Sequence, residues 1–177
     1  GHSPNFFNLT RLPYRYDPSA ECLRWKRFIE EVTMGDEETQ RLLQQWAGYL
    51  LTPTQDYQCF LLCLGDAGMG KGTYERAIIE MLGKDNCSGV SLRRLADRFS
   101  MYQTYGKILN VAGDAEEELT PQIEGTVKEW TGADLMVFER KYGASFCARA
   151  TAKLMISANS FPAFTDKSDG TWRRLKI

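Results

Sequence analysis

Apolar residues fall along this chain in two rhythms. Between residues 21 and 52 they fall near helical spacing, as Leu23, Phe28, Ile29 and Val32, then as Leu42, Leu43, Trp46, Tyr49 and Leu50. That spacing predicts two amphipathic helices, separated at Gly35 and Asp36 and ended before Pro53, with Ser19 placed to cap the first. From Gln58 the rhythm changes. Gln58–Leu64, Lys107–Gly113 and Lys153–Ala158 are short apolar runs bounded by turn residues, as expected of strands buried on both faces, and Leu175–Ile177 begins another. A helical stretch through Ala77, Ile78, Ile79, Met81 and Leu82 stops near Gly83. Strands alternating with helices predict an α/β domain in three layers, with a mostly parallel central sheet. The chain then divides into an extended arm over 1–20, a small helical collar over 21–56 and the α/β domain over 57–177. Gly1, His2 and Ser3 read as a tag remnant.

The turn after the first strand carries the strongest chemical signal. Gly65-Asp66-Ala67-Gly68-Met69-Gly70-Lys71-Gly72-Thr73 joins a strand to a helix, the context in which a glycine-rich loop cradles phosphates. Glycines let the backbone turn its N–H groups inward, and the helix N-terminus adds positive potential. Lys71 is placed to reach the β- and γ-phosphates of a nucleoside triphosphate, ATP with Mg2+ being the expected ligand. The position after the lysine, which ordinarily holds Ser or Thr, is Gly72, so the hydroxyl near the metal falls to Thr73.

Further candidates follow in order. Asp114, Glu116 and Glu117 come directly after the run Lys107–Gly113. A carboxylate at the tip of a buried strand can hold magnesium-bound water, and a second can orient the attacking water; Asp114 is the first choice for the metal. Asn159 ends the next run, where a carboxamide can hydrogen-bond both the γ-phosphate and the lytic water. Arg173 and Arg174 then offer a cation that can complete a neighbouring subunit's site.

Composition narrows the classes. Hydrophobic residues make up 43% of the 177 and charged residues 25%, so the chain can bury a core without disulfides or a structural metal. A net charge of −1 rules out a uniformly basic surface but leaves room for a local basic strip. Five cysteines without a C-x-x-C pair, and a lone histidine at His2, argue against zinc and for free thiols in a reducing cytosol. No apolar run approaches the ~20 residues of a membrane span.

The order of these pieces resembles superfamily 3 helicases, in particular the ATPase region of phage, plasmid and poxvirus primase–helicases. The likeness runs from about Trp46 to Ile177. It rests on Trp46–Leu51 (WAGYLL), the phosphate loop, Gly106–Asp114 (GKILNVAGD), Ala152–Asn159 (AKLMISAN) with Phe161 and Pro162, and Asp169–Leu175 (DGTWRRL). Between the acids and the Asn159 strand this family carries a hairpin that reaches into the channel of a hexameric ring. Gly132-Ala133-Asp134 followed by Phe138-Glu139-Arg140-Lys141-Tyr142-Gly143 looks like that element. The resemblance implies an AAA+-like P-loop NTPase fold, with ATP hydrolysed at subunit interfaces to drive translocation on single-stranded DNA and duplex unwinding. It implies DNA contact through Lys141, helped by Arg140 and Lys128, and a primase or origin-binding partner region. The expected setting is a bacterial host's cytoplasm, or the replication site of a mobile element or virus. The family's helical segment after the last strand is missing, so the chain reads as a piece of a longer protein. Two other readings stay open. A nucleoside monophosphate kinase shares the Gly-Lys-Gly-Thr ending but needs an arginine-rich lid, and an initiator or packaging motor would lack the Lys141 hairpin.

Overall fold

The computed structural model describes residues 10–113, 119–165 and 169–177, and in it the three apolar runs become the central strands of one sheet. In chain order the strands are β1 (Phe60–Leu64), β2 (Cys87–Ser88), β3 (Leu109–Ala112), β4 (Leu135–Glu139), β5 (Ser145–Arg149), β6 (Lys153–Ala158) and β7 (Leu175–Lys176). Five form a sheet in the order β2-β3-β6-β1-β7, with every neighbouring pair parallel. β4 and β5 form a separate antiparallel hairpin. The helices are α1 (Leu23–Val32), α2 (Glu37–Leu50), α3 (Lys71–Leu82), α4 (Leu92–Leu95), α5 (Pro121–Thr131) and α6 (Asp169–Trp172).

Successive strand residues point to opposite faces, and both faces are apolar here. Phe60 and Leu62 of β1, with Leu154 and Ile156 of β6, join Ile123, Val127 and Trp130 of α5 in one core. Leu61 and Met155 face the other way, into a core with Trp46, Tyr49 and Leu50 of α2 and Tyr74 and Ile78 of α3. The result is the three-layer α/β arrangement with a parallel sheet. Because β6 lies between β1 and β3, the loops that leave all three strands open on one edge of the sheet.

Some boundaries differ from expectation for local reasons. β1 starts at Phe60 because Gln58 adopts φ +47°, outside the strand region. Ser19 caps no helix: its N–H and its hydroxyl both donate to Asp17 Oδ1 in a local turn, and α1 begins at Leu23 without a side-chain cap. Asp36, expected as a break, is the N-cap of α2 and accepts from Thr39 N at 3.0 Å.

Lys153, inside the apolar run of β6, is 1% exposed. Its ammonium donates to Thr52 O and lies 4.7 Å from the centre of the Tyr49 ring. Burial lowers its pKa to about 8, against a small opposing effect of Cys59. In the unfolded chain a lysine titrates near 10.4, so the charged form is disfavoured by folding below pH 8 and the penalty fades as pH rises towards 10.4. Lys153→Met, similar in volume, should therefore stabilise the protein by about 1–2 kcal/mol at pH 7. In melting experiments that advantage should shrink between pH 8 and 10.4; a constant difference across that window would show that Lys153 titrates normally.

Candidate functional site

The loop between β1 and α3 is built by its glycines. Gly68 and Gly70 adopt φ of +87° and +94°, and Gly70 is the residue from which α3 starts. Among the described residues, the backbone N–H groups of Gly68, Gly70, Lys71 and Gly72 meet no acceptor, while the helix carries no acidic residue in its first turn. Backbone donors gathered at a helix N-terminus form a concave site for an anion. Gly70 also has a packing reason: a Cβ there would lie 2.7 Å from Val32 Cγ1 and 3.4 Å from Phe28 Cε2, so α1 closes directly on the loop.

Lys71 is the first residue of α3, and its ammonium turns back across the loop. It donates to Gly65 O, to Asp66 O at 2.9 Å and to Asn159 Oδ1 at 3.0 Å. The fold thus brings two sequence candidates, 88 positions apart, into direct contact. It can do so because β1 and β6 are neighbours in register, Leu64 opposite Ala158, and Gly65 N donates to Ala158 O at 3.3 Å. Thr73 sits exposed in the first turn of α3 and accepts from Arg76 Nη2 at 3.1 Å.

Two residues near the loop carry no mark in the sequence. Arg76 lies over Gly72, where a Cβ would stand 3.3 Å from its Nη1, and it is an exposed cation one turn beyond the lysine. Glu75 accepts from the hydroxyl of Ser157 on β6. Burial pushes the nearby Cys63 thiol up to about 12, with the Glu75 charge adding to the effect and Lys71 opposing it, so this cysteine is a neutral wall rather than a nucleophile. Beside the loop, a cavity of about 250 Å3 runs between the α1–α2 turn and α3 and is lined by Val32, Thr33, Leu43, Met69 and Tyr74.

The remaining candidates are distributed. Asp114, Glu116 and Glu117 lie outside the described residues; Ala112, where β3 ends, is at the same sheet edge as the loop, opposite Ile156 of β6. Arg173 and Arg174 precede β7 at the other edge, where Arg174 O accepts from Phe60 N at 2.9 Å. The length of β1, about 13 Å at ~3.3 Å per residue, separates them from their own chain's phosphate loop. The two differ. Arg174 is partly buried, donates to Gly170 O and has a buried Nε without an acceptor; burial first, then the Arg173 charge, lowers its pKa, and Asp134 opposes this. Arg173 is exposed, and its Nη2 approaches Gln58 Oε1 at 3.5 Å.

The hairpin stands where the sequence placed it, between α5 and β6. Its tip presents Arg140 and Lys141, with Tyr142 at φ +63° and 96% exposed, and the Lys141 ammonium lies 5.2 Å from the Tyr142 ring centre. Beneath it, Phe138 and Phe146 pack with Tyr102 and Tyr105 at ring separations of 4.8–6.3 Å, and Arg98 donates to Glu139 Oε2 at 2.6 Å. Lys128 lies on the last turns of α5, separated from the tip along the chain by all of β4.

A family model described as a family of unknown function, DUF5906, matches residues 63–174, from the end of β1 to the arginine pair. The chain belongs to the DUF5906 family. Among solved structures, the apo C-terminal region of NrS-1 matches with a TM-score of 0.70 at 16% identity, over 85% of this chain and 36% of that one. A second NrS-1 C-terminal structure gives 0.68 at 15%, over 81% and 34%. The JCV helicase, bound to an acetamide compound, gives 0.57 at 13%, over 89% and 44%. This DUF5906 chain therefore spans between a third and just under half of the structures it matches. At these identities the shared property is the fold, a helicase-like P-loop α/β architecture. No helix among its described residues is long and apolar enough to cross a membrane.

Proposed function

We propose that this DUF5906 chain is the ATPase motor of a superfamily 3-type DNA helicase, binding ATP with Mg2+ and using its hydrolysis to move on single-stranded DNA. The observation that carries the reading is the contact of Lys71 with Asn159 over a loop in which the N–H groups of Gly68, Gly70, Lys71 and Gly72 meet no acceptor among the described residues. Phosphate oxygens would compete for the Lys71 ammonium with the neutral carbonyls of Gly65 and Asp66, and charge-assisted hydrogen bonds favour the phosphate. The loop residues Gly65 to Thr73 would surround the phosphates, and the cavity beside Tyr74 would receive the base. Thr73 and Asp114 would hold Mg2+, which would neutralise charge on the β- and γ-oxygens. Glu116 or Glu117 would take a proton from the attacking water while Asn159 orients it.

No arginine of the C-terminal pair is near its own loop, so the cation would come from the next subunit of a ring. Arg173 suits that role because it is exposed, whereas Arg174 is held in the fold. Lys141 and Arg140 would meet the DNA backbone, and a ring that repeats them six times gives a basic channel despite a nearly neutral chain.

The test is steady-state ATP hydrolysis by the full-length protein with and without single-stranded DNA. DNA should stimulate turnover several-fold, and Lys141→Ala should remove the stimulation while sparing nucleotide affinity. Turnover indifferent to DNA, or phosphoryl transfer to AMP, would overturn the motor reading.

A further inference from the structure

The segment Arg11–Tyr16 belongs to none of the groups above, yet its backbone is anchored. Leu12 joins the core on the α2–α3 side of the sheet, and Asn86 Nδ2 donates to Arg11 O at 2.8 Å. Pro13 fits against Gly83, where a Cβ would come within 3.2 Å of its Cδ. Around these anchors the other side chains face solvent. Tyr14 is 49% and Tyr16 83% exposed, and Arg11 and Arg15 have no acidic partner among the described residues. The nearby carboxylate, Asp17, is engaged by Ser19, whose hydrogen bonds hold its pKa below the ordinary value.

Large rings left in water on a fixed segment, beside unpaired guanidinium groups, match one class of ligand well. Aromatic faces accept unstacked bases of any sequence, and arginines meet the phosphates between them. Location supports the same ligand. Asn86 precedes β2 and Lys107 precedes β3, so both lie at the edge of the sheet opposite the phosphate loop. Lys107 Nζ donates to Asp85 O at 2.6 Å, and Lys107 O accepts from Thr151 Oγ1 at 2.9 Å. Thr151 lies just past β5, at the root of the hairpin. Arm, Lys107 and hairpin root therefore share one edge.

We propose that Arg11, Tyr14, Arg15 and Tyr16 form a second contact for single-stranded DNA, on a surface that runs past Lys107 to the hairpin that carries Lys141. The proposal rests on the DNA-motor reading and extends it to the N-terminal arm. The experiment is fluorescence anisotropy of a labelled oligothymidine with the full-length protein at several salt concentrations. Tyr14→Ala/Tyr16→Ala should weaken binding about tenfold or more, as expected from losing two stacked bases. Arg11→Ala/Arg15→Ala should lower the slope of log affinity against log salt by about 1.4, two phosphates at ~0.7 each. Tyr16→Phe, which keeps the ring, should bind like the wild type, and all four exposed positions should leave the melting temperature unchanged. Combining the tyrosine pair with Lys141→Ala should multiply the two losses. Wild-type affinity in both arm variants, with binding weakened by Lys141→Ala alone, would overturn the arm contact and leave the motor reading intact. Weakened binding confined to duplex DNA would also overturn it. No binding of single strands by the wild type would remove both.

Discussion

Lys71→Ala protein is expected to fold with an unchanged melting temperature and to lose ATP hydrolysis by about a hundredfold or more. The first expectation follows from where the lysine sits. It occupies the first turn of α3, where alanine is a good helix former, and its partners, Gly65 O, Asp66 O and Asn159 Oδ1, lie in exposed or half-exposed positions that water can serve. The second follows from charge. The ammonium is the one side-chain cation that the loop itself supplies to a transferring phosphoryl group, and losing a preorganised electrostatic contact costs roughly 10²–10³ in turnover. A mixing experiment extends the test across the subunit interface. Lys71→Ala and Arg173→Ala proteins, each inactive alone, should regain hydrolysis when combined, because some interfaces then pair an intact lysine with an intact arginine. Activity that returns only with Arg174→Ala would exchange the roles of the two arginines. Normal turnover by Lys71→Ala alone would remove the phosphate loop from the mechanism.

Gly70→Ala should be more damaging than an added methyl group at Gly65, Gly68 or Gly72, the other glycines of the loop. The residue has φ +94°, which an L side chain adopts at a cost of ~1–3 kcal/mol. The new Cβ would also lie 2.7 Å from Val32 Cγ1, which forces α1 off the loop and adds an overpacking cost of similar size. Nucleotide affinity should fall at least about tenfold, since the four free N–H groups must converge to bind phosphate. Adding Val32→Ala should recover part of the stability but little of the affinity, because it relieves the contact and leaves the φ. Gly68→Ala is the internal comparison: φ is +87°, but a Cβ there meets nothing within 4 Å, so the contact term is absent. Equal melting temperatures for Gly68→Ala and Gly70→Ala would show that α1 does not close on the loop.

The parts legible in the sequence were those with a local physical cause. Strands buried on both faces read as apolar runs, so β1, β3 and β6 were found within two residues, and β6 at both ends. The phosphate loop was legible because its glycines are required by backbone geometry. Other features depend on partners far away in sequence. β2 and α4 span two and four residues, too short to show any period. Nothing at Gly70 announces that Val32 packs on it, and nothing in an Arg-Arg pair reveals that one member is held by Gly170 O while the other faces water. Nothing in the run that starts at Lys153 reveals that the sheet and Tyr49 bury its charged first residue. Exposed Arg76 and half-buried Glu75 are not legible in the sequence, because charges on a helix carry no signal until a neighbouring element gives them a direction. The hairpin was legible through resemblance, since a short alternation of Met136 and Phe138 with exposed residues is weak by itself.

The position of β6 between β1 and β3 has a consequence for how the chain is made. On the ribosome, β1 and β3 emerge before β6, but they are not neighbours: β3 can pair only with the two residues of β2, and β1 with nothing, until a strand that begins at Lys153 follows. Until then Leu61 and Leu62, and the side of β3 that will meet β6, belong to unpaired edges, the kind of surface on which nascent chains associate wrongly. The phosphate loop shares that delay, because Gly65 is anchored to Ala158 and Lys71 to Asn159. Pairing across such sequence distances is slow to form, and the nucleotide site should be among the last parts of this polypeptide to appear during synthesis.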